Sequence, residues 1–562
     1  MRRALFLLLL LCSASAGGAP PEIVAPPPLD ALLQRYLPLE MPDANDPDAR
    51  AAFAERIDRE GRALLATEGY FNVRLQLTEN FVIQVEPGAR ALVEQVDISI
   101  DGPVPEARKA ALREAWTLKA GAPFRQADWT AAKEGLLMAL MERDFPGARL
   151  LDSQAEVDAD QNRVRIRLHY ASGAAYRFGA LEIEGLARYS PELIARYNTQ
   201  VKAGDPYDEN RLAALQNTLE NTPYFASVSV RLNTDAGENR EAGDIIIAPV
   251  QVQLREQAPH RLNLGAGVSS NTGARVEVNF RTADLFSRAW QLNSGVRLEE
   301  LKQSAYADIF FPPTPEDYHY ALGVQVERSD IRNLELRTES LGLSRSHRQG
   351  SVENVLTLSY ITEREISDAL PQSRNRALTL NSMWTWTPKV ASDAFWFNHV
   401  SQIQVGGAIR PISDQNFVRL YGATLHNFRL NARNTLSLRA EGGIVLVDSR
   451  EGIPQNFLFR AGGTQSVRGY AYQSLGVREG STTLGGRYLL TASGELTHWL
   501  ADSPWGVAAF VDVGNAGDDK KTFQLQRGYG VGARWRSEAG AIGVDVAYGK
   551  NWHLHFSLSL PF

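Results

Sequence analysis

One charged side chain stands alone in a loop of small and aromatic residues near the C-terminal end of the chain. The loop 461-AGGTQSVRGYAYQSLG-476 carries Arg468 and no other charge. A guanidinium is a planar fork that binds a carboxylate through two parallel hydrogen bonds, so the chemistry it offers is recognition of an anion. The candidate acceptors are Glu495 and Asp512, because period-two alternation places both on the polar faces of successive predicted strands.

Two arrangements of this arginine agree with the pattern. In the first, the loop folds back into a barrel and docks Arg468 against Asp512 and Glu495, because a poorly solvated carboxylate on a barrel wall needs a partner. The close approach would be permitted by strand glycines, namely Gly494, Gly506 and Gly514. In the second, Arg468 is a solvated loop residue and the two acids are unrelated to it.

The sequence carries no pattern that favours catalysis. The 9 histidines are scattered, and in His553-x-His555 two imidazoles on one strand face are better interpreted as polar residues of a lumen than as metal ligands. The segment 528-GYGVG-532 opens no predicted helix, so close-packed strand glycines explain it better than a nucleotide loop. A net charge of −6 without a basic run argues against nucleic acid. We expect no enzyme activity, no metal and no cofactor.

The N-terminus predicts export. Two arginines, a short apolar run and the triplet Ala14-Ser15-Ala16 are typical of a signal peptide over residues 1–16. Lipid attachment at Cys12 is the alternative, but Leu11 stands where such a signal needs a small residue. Cleavage after Ala16 would leave the exported chain without cysteine and therefore without disulfides.

The rest of the chain divides near Pro259 into two halves that differ in their sequence patterns. In the first half, 119-KAGAPF-124 recurs as 202-KAGDPY-207, and the same spacing separates Gly102 from Gly185, which indicates a repeat. Each copy reads as strand, short helix, turn, longer helix and two strands. An earlier, looser copy has a predicted helix over 47–67, but its proline-rich start lacks a convincing opening strand. The predicted modules are residues 21–90, 91–173 and 174–257.

The second half, residues 258–562, predicts a membrane barrel. Its segments alternate in hydropathy over about 10 residues, as transmembrane strands do. The clearest is 553-HLHFSLSLPF-562, with leucine and phenylalanine on one face. We count about 16 strands, an even number that keeps both chain ends on one side. A soluble β-sandwich is the alternative, but it would not need an apolar face on every strand. The expected fold is therefore a membrane all-β barrel preceded by three periplasmic α+β modules of βααββ order.

Together these features resemble the BamA-like outer-membrane assembly superfamily. Its members carry periplasmic POTRA modules, an inward-folded sixth loop with a V/I-R-G-F/Y motif, and an F/G-x-D-x-G strand motif that contacts this loop. Here the matching segments are 467-VRGY-470 and 510-FVDVG-514, with a terminal Phe562. The resemblance implies an inward-folded loop over 447–481 and a lock between loop and wall formed by Val467, Arg468, Gly469, Tyr470, Glu495, Phe510, Asp512 and Gly514.

Within this superfamily, the three modules and 177-RFGALEIEG-185 look most similar to the TamA family, the barrel subunits of translocation and assembly modules. That resemblance implies a place in the bacterial outer membrane, with the modules in the periplasm. It also implies three partners: the lipid bilayer, unfolded outer-membrane client proteins such as autotransporters, and a TamB-like periplasmic protein anchored in the inner membrane.

The barrel is predicted to close where its first strand, near 261–269, meets its last, near 552–562. Glycines weaken the first strand, because they pack no side chain. By resemblance, this seam is a lateral gate through which clients are inserted without ATP. The predicted gate residues are Gly265, Ala266, Gly267, Phe556, Leu558 and Phe562.

Two other functions are weighed against the insertase. A two-partner secretion transporter would export one protein through the lumen, with two modules and an N-terminal plug helix, for which 29-LDALLQRYL-37 is a candidate. A passive porin would have no use for a large repeated periplasmic half.

Overall fold

The computed structural model describes residues 21–40, 46–78, 80–236, 239–241, 245–368, 370–388, 396–501, 503–537 and 540–559. Two compact units emerge, one built mainly from residues up to Glu182 and the other mainly from residues after Gln253. Among the described helices, none has both the length and the apolar composition needed to cross a membrane.

The first predicted module forms a small sheet with strand order β1-β3-β2 and two helices. Its elements are β1 (Ile23–Val24), α1 (Leu29–Tyr36), α2 (Pro47–Thr67), β2 (Arg74–Leu77) and β3 (Ile83–Glu86). The expectation that this copy lacks an opening strand is wrong, because β1 pairs in parallel with β3 through Ile23 and Ile83. The strand is only two residues long because the prolines that follow cannot extend a ladder. The helix predicted over 47–67 is confirmed, and the Asp46 carboxylate caps it by accepting from the N–H groups of Asp48 and Ala49.

The second copy has the predicted element order. It comprises β4 (Leu92–Asp101), α3 (Glu106–Ala115), α4 (Gln126–Met141), β5 (Arg149–Asp158) and β6 (Arg163–Ala171). The central strand is β6, parallel to β4 and antiparallel to β5. The apolar side of α4 repeats at helical spacing and is buried at Trp129, Ala132, Leu136 and Leu140.

The third copy repeats this order. Its elements are β7 (Ala175–Glu184), α5 (Pro191–Tyr197), α6 (Glu209–Glu220), β8 (Phe225–Leu232), β9 (Asn239–Glu241) and β10 (Ile245–Glu256). The strand order is β7-β10-β8, with β9 paired to β10. The short β9 is an addition that the repeat did not predict.

The second half closes into a barrel of sixteen antiparallel strands, which confirms the predicted fold. They are β11 (His260–Ser269), β12 (Gly273–Leu285), β13 (Trp290–Glu299), β14 (Lys302–Phe310), β15 (His319–Asp330), β16 (Glu335–Gln349), β17 (Val352–Ile366), β18 (Ser373–Trp386), β19 (Trp396–Ala408), β20 (Phe417–Arg429), β21 (Asn434–Leu446), β24 (Tyr488–Trp499), β25 (Trp505–Gly517), β26 (Gln526–Ser537), β27 (Gly540–Tyr548) and β28 (Trp552–Ser559). A two-stranded hairpin, β22 (Val477–Glu479) and β23 (Thr482–Leu484), lies within the long loop between β21 and β24.

Alternation decides which side chains enter the barrel. On β25, Val507 and Val511 are exposed on the outer face, whereas Phe510 and Asp512 are buried inside. On β28, Leu554 is exposed and His555 is buried. An apolar outer face and a polar interior are what a strand needs between lipid and lumen.

Candidate functional site

The loop that carries Arg468 joins the eleventh and twelfth barrel strands, β21 and β24, as predicted. It occupies all of the chain from residue 447 to residue 487, so the predicted end at 481 is too early. The reason is that the chain on both sides of the β22–β23 hairpin pairs back on the loop: Ala461 pairs with Leu475 before the hairpin, and Phe459 pairs with Gly486 after it. Because of these backbone pairings, the loop has a defined structure of its own.

Arg468 binds Asp512 through three donors. Its Nε lies 2.7 Å from Oδ2, its Nη2 lies 3.0 Å from Oδ1, and its backbone N–H donates to Oδ2 at 2.9 Å. The Asp512 carboxylate is completely buried. The guanidinium and the carboxylate therefore form the bidentate pair that the residue types allow, with the loop backbone as an additional donor.

A second carboxylate and a second arginine extend the pair into a network. Arg468 Nη1 donates to Glu495 Oε2 at 2.6 Å and approaches Asp545 Oδ2 at 3.3 Å. Arg534 joins the same two acids from the other side, with Nη2 2.8 Å from Glu495 Oε2 and Nη1 2.5 Å from Asp545 Oδ1. The two guanidiniums thus share three carboxylates, which lowers the free-energy cost of burying each charge.

Neither Arg534 nor Asp545 was among the predicted lock residues. Both lie on inward faces, Arg534 on β26 and Asp545 on β27, in strands where apolar residues alternate with them. Extending the alternation beyond the first two acids would have identified them. Their pairing with the loop could not be read from the sequence, because it depends on how far the loop reaches across neighbouring strands.

An aromatic and a hydroxyl side chain also contact the Arg468 guanidinium. Arg468 Cζ lies 3.4 Å from the ring centroid of Phe510, which is close enough for a cation–π interaction. Ser493 donates to Asp512 Oδ1 at 2.6 Å and lies 3.3 Å from Arg468 Nη2. The phenylalanine of the predicted strand motif therefore stacks on the arginine.

The residues on either side of Arg468 fix the loop backbone. Val467 is fully buried, and the Tyr470 hydroxyl donates to Gln526 Oε1 at 3.2 Å. Gly469 has φ +86 and its N–H donates to His555 Nε2 at 3.1 Å. A Cβ at Gly469 would stand 2.6 Å from the Gly549 nitrogen, so no other residue fits without displacing the backbone.

His555 therefore binds the loop, by accepting the hydrogen bond from Gly469. The interpretation of His553 and His555 as lumenal polar residues agrees with this contact, although no sequence pattern indicates that His555 accepts from Gly469.

The predicted role of the strand glycines is wrong. A Cβ at Gly514 would meet the Leu490 carbonyl oxygen at 2.6 Å, and one at Gly506 would meet the His498 carbonyl oxygen at 3.0 Å, which are strand-to-strand contacts. Gly494 faces Leu438 in the same way. The strand glycines that admit the loop are Gly528, where a Cβ would overlap the Arg468 carbonyl oxygen, and Gly443, where a Cβ would overlap the Phe459 ring.

The first and last strands, β11 and β28, meet along a short seam. Between described residues their ladder contains one register pair, Ser269 with Ser557, and the Ser270 hydroxyl accepts from the Phe556 N–H at 3.1 Å. The adjacent ladders run the length of both strands: β11 pairs with β12 from His260 to Ser269, and β28 pairs with β27 from Trp552 to Ser559. Within the described residues, the seam is thus the shortest ladder of the barrel.

This register corrects the predicted gate pairing. Phe556 meets Ser270 rather than Ala266, and among the described residues the partners of Gly265, Ala266 and Gly267 are Glu277, Val276 and Arg275 of β12. The Leu558 backbone pairs with β27. Phe562 lies outside the described residues.

The loop contacts both borders of the seam. Asn271, in the turn between β11 and β12, donates from Nδ2 to Thr464 Oγ1 at 2.9 Å. On the other border, His555 of β28 accepts from Gly469. Thr464 and Gly469 belong to one loop, so this loop bridges the two strands that barely pair with each other.

Family comparison agrees with this geometry. The Omp85 superfamily domain matches residues 258–562, and the chain belongs to the Omp85 superfamily. A POTRA family, described as a surface antigen variable number repeat, matches residues 176–248. The chain is thus an outer-membrane β-barrel protein of a class that transports or assembles proteins.

Solved structures with the same fold include BamA from Haemophilus ducreyi lacking POTRA domains 1–3, at 15% identity and a TM-score of 0.70 over 83% of this chain and 99% of that chain. CdiB from Acinetobacter baumannii has 15% identity and a TM-score of 0.48 over 84% and 90% of the two chains. CdiB from Escherichia coli has 14% identity and a TM-score of 0.45 over 92% and 99%. At this identity, the similarity to BamA establishes the fold and nothing finer.

We predict that Arg468→Ala and Asp512→Ala each lower the free energy of unfolding of the barrel by about 3 kcal/mol, because each leaves a buried charge without its partner. The double variant should lose clearly less than the sum, with a coupling of about 1–3 kcal/mol. Urea unfolding in detergent, followed by tryptophan fluorescence, measures both quantities. Arg527→Ala is the control, since Arg527 is exposed and forms no ion pair with any described residue. Additive losses would show that the pair does not act as a unit.

We predict that Gly528→Ala displaces the loop although it changes no charge. The added methyl group would occupy the position of the Arg468 carbonyl oxygen. Protease cleavage within residues 447–487 should become faster in folded protein. Gly442→Ala is the matched strand control, because a Cβ there has no atom within 4 Å. Equal protection of both variants would contradict the close approach of the loop to Gly528.

Proposed function

We propose that this protein is an outer-membrane assembly factor of the TamA type, which inserts autotransporters or other β-barrel clients through the seam between β11 and β28 without ATP. The observation that carries the proposal is the difference between the seam and its neighbouring ladders: between described residues the seam has one register pair, whereas β11 and β28 pair with β12 and β27 along their whole length.

A backbone hydrogen bond contributes about 0.5–1.5 kcal/mol net, so separating two strands costs more the longer their ladder is. The seam is therefore the place where this barrel opens at least cost. Gly265 and Gly267 add no side-chain packing to β11. Once open, β11 would present unpaired N–H and C=O groups, onto which a client strand can add.

The loop sets the condition for opening. It holds the first hairpin through Asn271 and the last strand through His555, while Arg468 anchors it to the wall. In this proposal the lock residues and the gate residues are coupled. The two strands of the seam separate only when at least one of these loop contacts breaks.

The N-terminal modules would receive unfolded clients. In the second module, β5 pairs with β6 on one side and borders no other described strand on the other. Such an edge can bind an extended segment by strand addition. The resemblance to the TamA family adds a TamB-like partner anchored in the inner membrane, with the modules in the periplasm.

The alternative is a two-partner secretion transporter. One observation supports the insertase against it: the helix that would be the plug, α1, buries Leu29 and Leu33 in the core of the first module, together with Phe53 and Ile57 of α2. A helix that completes the core of a folded module is not free to fill a barrel lumen.

We predict that a disulfide between Ser269→Cys and Ser557→Cys blocks client insertion, because these positions are direct partners across the seam. Insertion of an autotransporter into vesicles containing the purified protein is the assay, and reduction should restore it. The control disulfide, Val268→Cys with Ala274→Cys, ties β11 to β12, which are already fully paired. Full activity with the seam cross-linked would rule out the lateral route.

We predict that affinity purification of the full chain from membranes recovers a large inner-membrane-anchored protein. Deleting residues 21–90 or 91–173 should lower the recovery while leaving the barrel in the membrane. Recovery of a secreted adhesin instead would favour the two-partner transporter.

A further inference from the structure

A small cavity of about 230 Å³ lies at the barrel end where β11 begins. Because β12 returns to this end, the β12–β13 turn, residues 286–289, forms one side of the cavity. The other side is formed by residues 188–190, Glu192, Leu193 and Arg196, at and around α5. In the proposed orientation this rim faces the periplasm.

The turn is held in an uncommon conformation. Phe286, Ser287 and Ala289 all have left-handed φ values, of 58, 54 and 56 degrees, although none is glycine. Two contacts maintain it: the Tyr224 hydroxyl donates to the Ala289 carbonyl at 2.8 Å, and the Ala289 N–H donates to Asp284 Oδ1 at 2.9 Å. Left-handed backbone in non-glycine residues costs free energy and is concentrated at functional sites.

Three arginines line the cavity: Arg188, Arg196 and Arg288. Among the described residues, no carboxylate oxygen lies within 4.0 Å of the Arg196 or Arg288 side-chain nitrogens. Arg188 is 3.7 Å from Glu256. The cavity is also lined by the carboxylates of Glu192 and Asp284, and the Asp284 carboxylate already accepts a hydrogen bond from the Ala289 N–H. The lining therefore has an excess of positive charge, with two guanidiniums that have no ionic partner in the described part of the chain.

A buried donor points to a ligand independently of the charges. Tyr189 is 7% exposed and lines the cavity, and its hydroxyl has no hydrogen-bond partner in the described part of the chain. Burial raises the pKa of Tyr189 to about 12, so the hydroxyl keeps its proton at neutral pH. A buried hydroxyl without a partner costs free energy, which an acceptor in the cavity would recover.

The exposed residues next to the cavity indicate which class of molecule provides that acceptor. Phe286 is 74% exposed at the tip of the turn, and Arg288 lies 5.4 Å from the Trp290 ring centroid. Further along β12, Val278 and Phe280 are exposed on the outer face. Aromatic residues at the end of an apolar outer face mark the level of the lipid headgroups.

We propose that this cavity binds the headgroup phosphate of an anionic phospholipid such as phosphatidylglycerol. Arg196 and Arg288 would pair with the phosphate oxygens, Tyr189 would donate its free hydroxyl, and Phe286 would lie against the lipid at the level of the headgroup. The bound lipid would tie the β12–β13 turn, next to the first barrel strand, to the segment that contains α5. The proposal requires only that the barrel lies in a membrane, so it stands or falls separately from client insertion.

Native mass spectrometry of the full chain in detergent tests the site, with phosphatidylglycerol, phosphatidylcholine and sodium phosphate as separate probes. We expect phosphatidylglycerol to bind at least about tenfold more tightly than phosphatidylcholine, and Arg196→Gln with Arg288→Gln to abolish that preference. Tyr189→Phe, which removes only the unpartnered hydroxyl, should weaken binding by about threefold. The control Arg281→Gln removes an arginine from the face of β12 opposite Phe280 and should leave binding unchanged.

Equal binding of the two lipids would overturn the proposal, and so would unchanged binding in the double variant. Sodium phosphate that binds as tightly as phosphatidylglycerol would show a site for a free anion rather than a lipid site. Heat-dependent gel mobility checks that each variant barrel is folded, and Tyr189→Phe keeps the test decisive if the arginine variants do not fold.

Discussion

The barrel interior of this protein is organised around one buried ion pair, between Arg468 of a loop and Asp512 of the wall. Charges removed from water are stable only when geometry and further hydrogen bonds compensate for the lost hydration. Here Glu495, Asp545 and Arg534 provide that compensation. A loop that could have extended into solvent is thereby fixed against the twelfth and thirteenth barrel strands.

The fixed loop also spans the interior. On the side away from Arg468, Gln455 donates its N–H to Glu363 of β17 at 2.7 Å, and its side chain lies 3.1 Å from Glu365. The loop is thus held by β17 on one wall and by β25 and β28 on the other. A structured arm that crosses the barrel in this way does not suit a passive pore, which needs an open lumen.

Strand pairing around the barrel is uneven, and under the proposed function this unevenness would decide where the barrel opens. Fifteen neighbouring pairs form long ladders, while the described residues of β11 and β28 share one register pair, supported by Ser270 and by the loop. The free energy needed to separate strands is therefore concentrated in side-chain and loop contacts at the seam. Contacts of that kind can be exchanged without unfolding the barrel, which is what the proposed insertion of a client strand would require.

Much of this architecture is encoded locally. Alternation predicted the barrel and the inward position of Asp512, the repeated KAG segments predicted the module order, and Asp46 before Pro47 predicted the start of α2. The family resemblance, not periodicity, pointed Arg468 toward the wall. What only the tertiary structure decided are the long-range pairings: Arg534 and Asp545 in the network, Gly528 rather than Gly514 beneath the loop, and Ser269 opposite Ser557. Alternation determines the face of the strand on which a side chain lies. The register between strands and the distance that the loop extends across them depend on how strands far apart in the sequence pair to close the barrel.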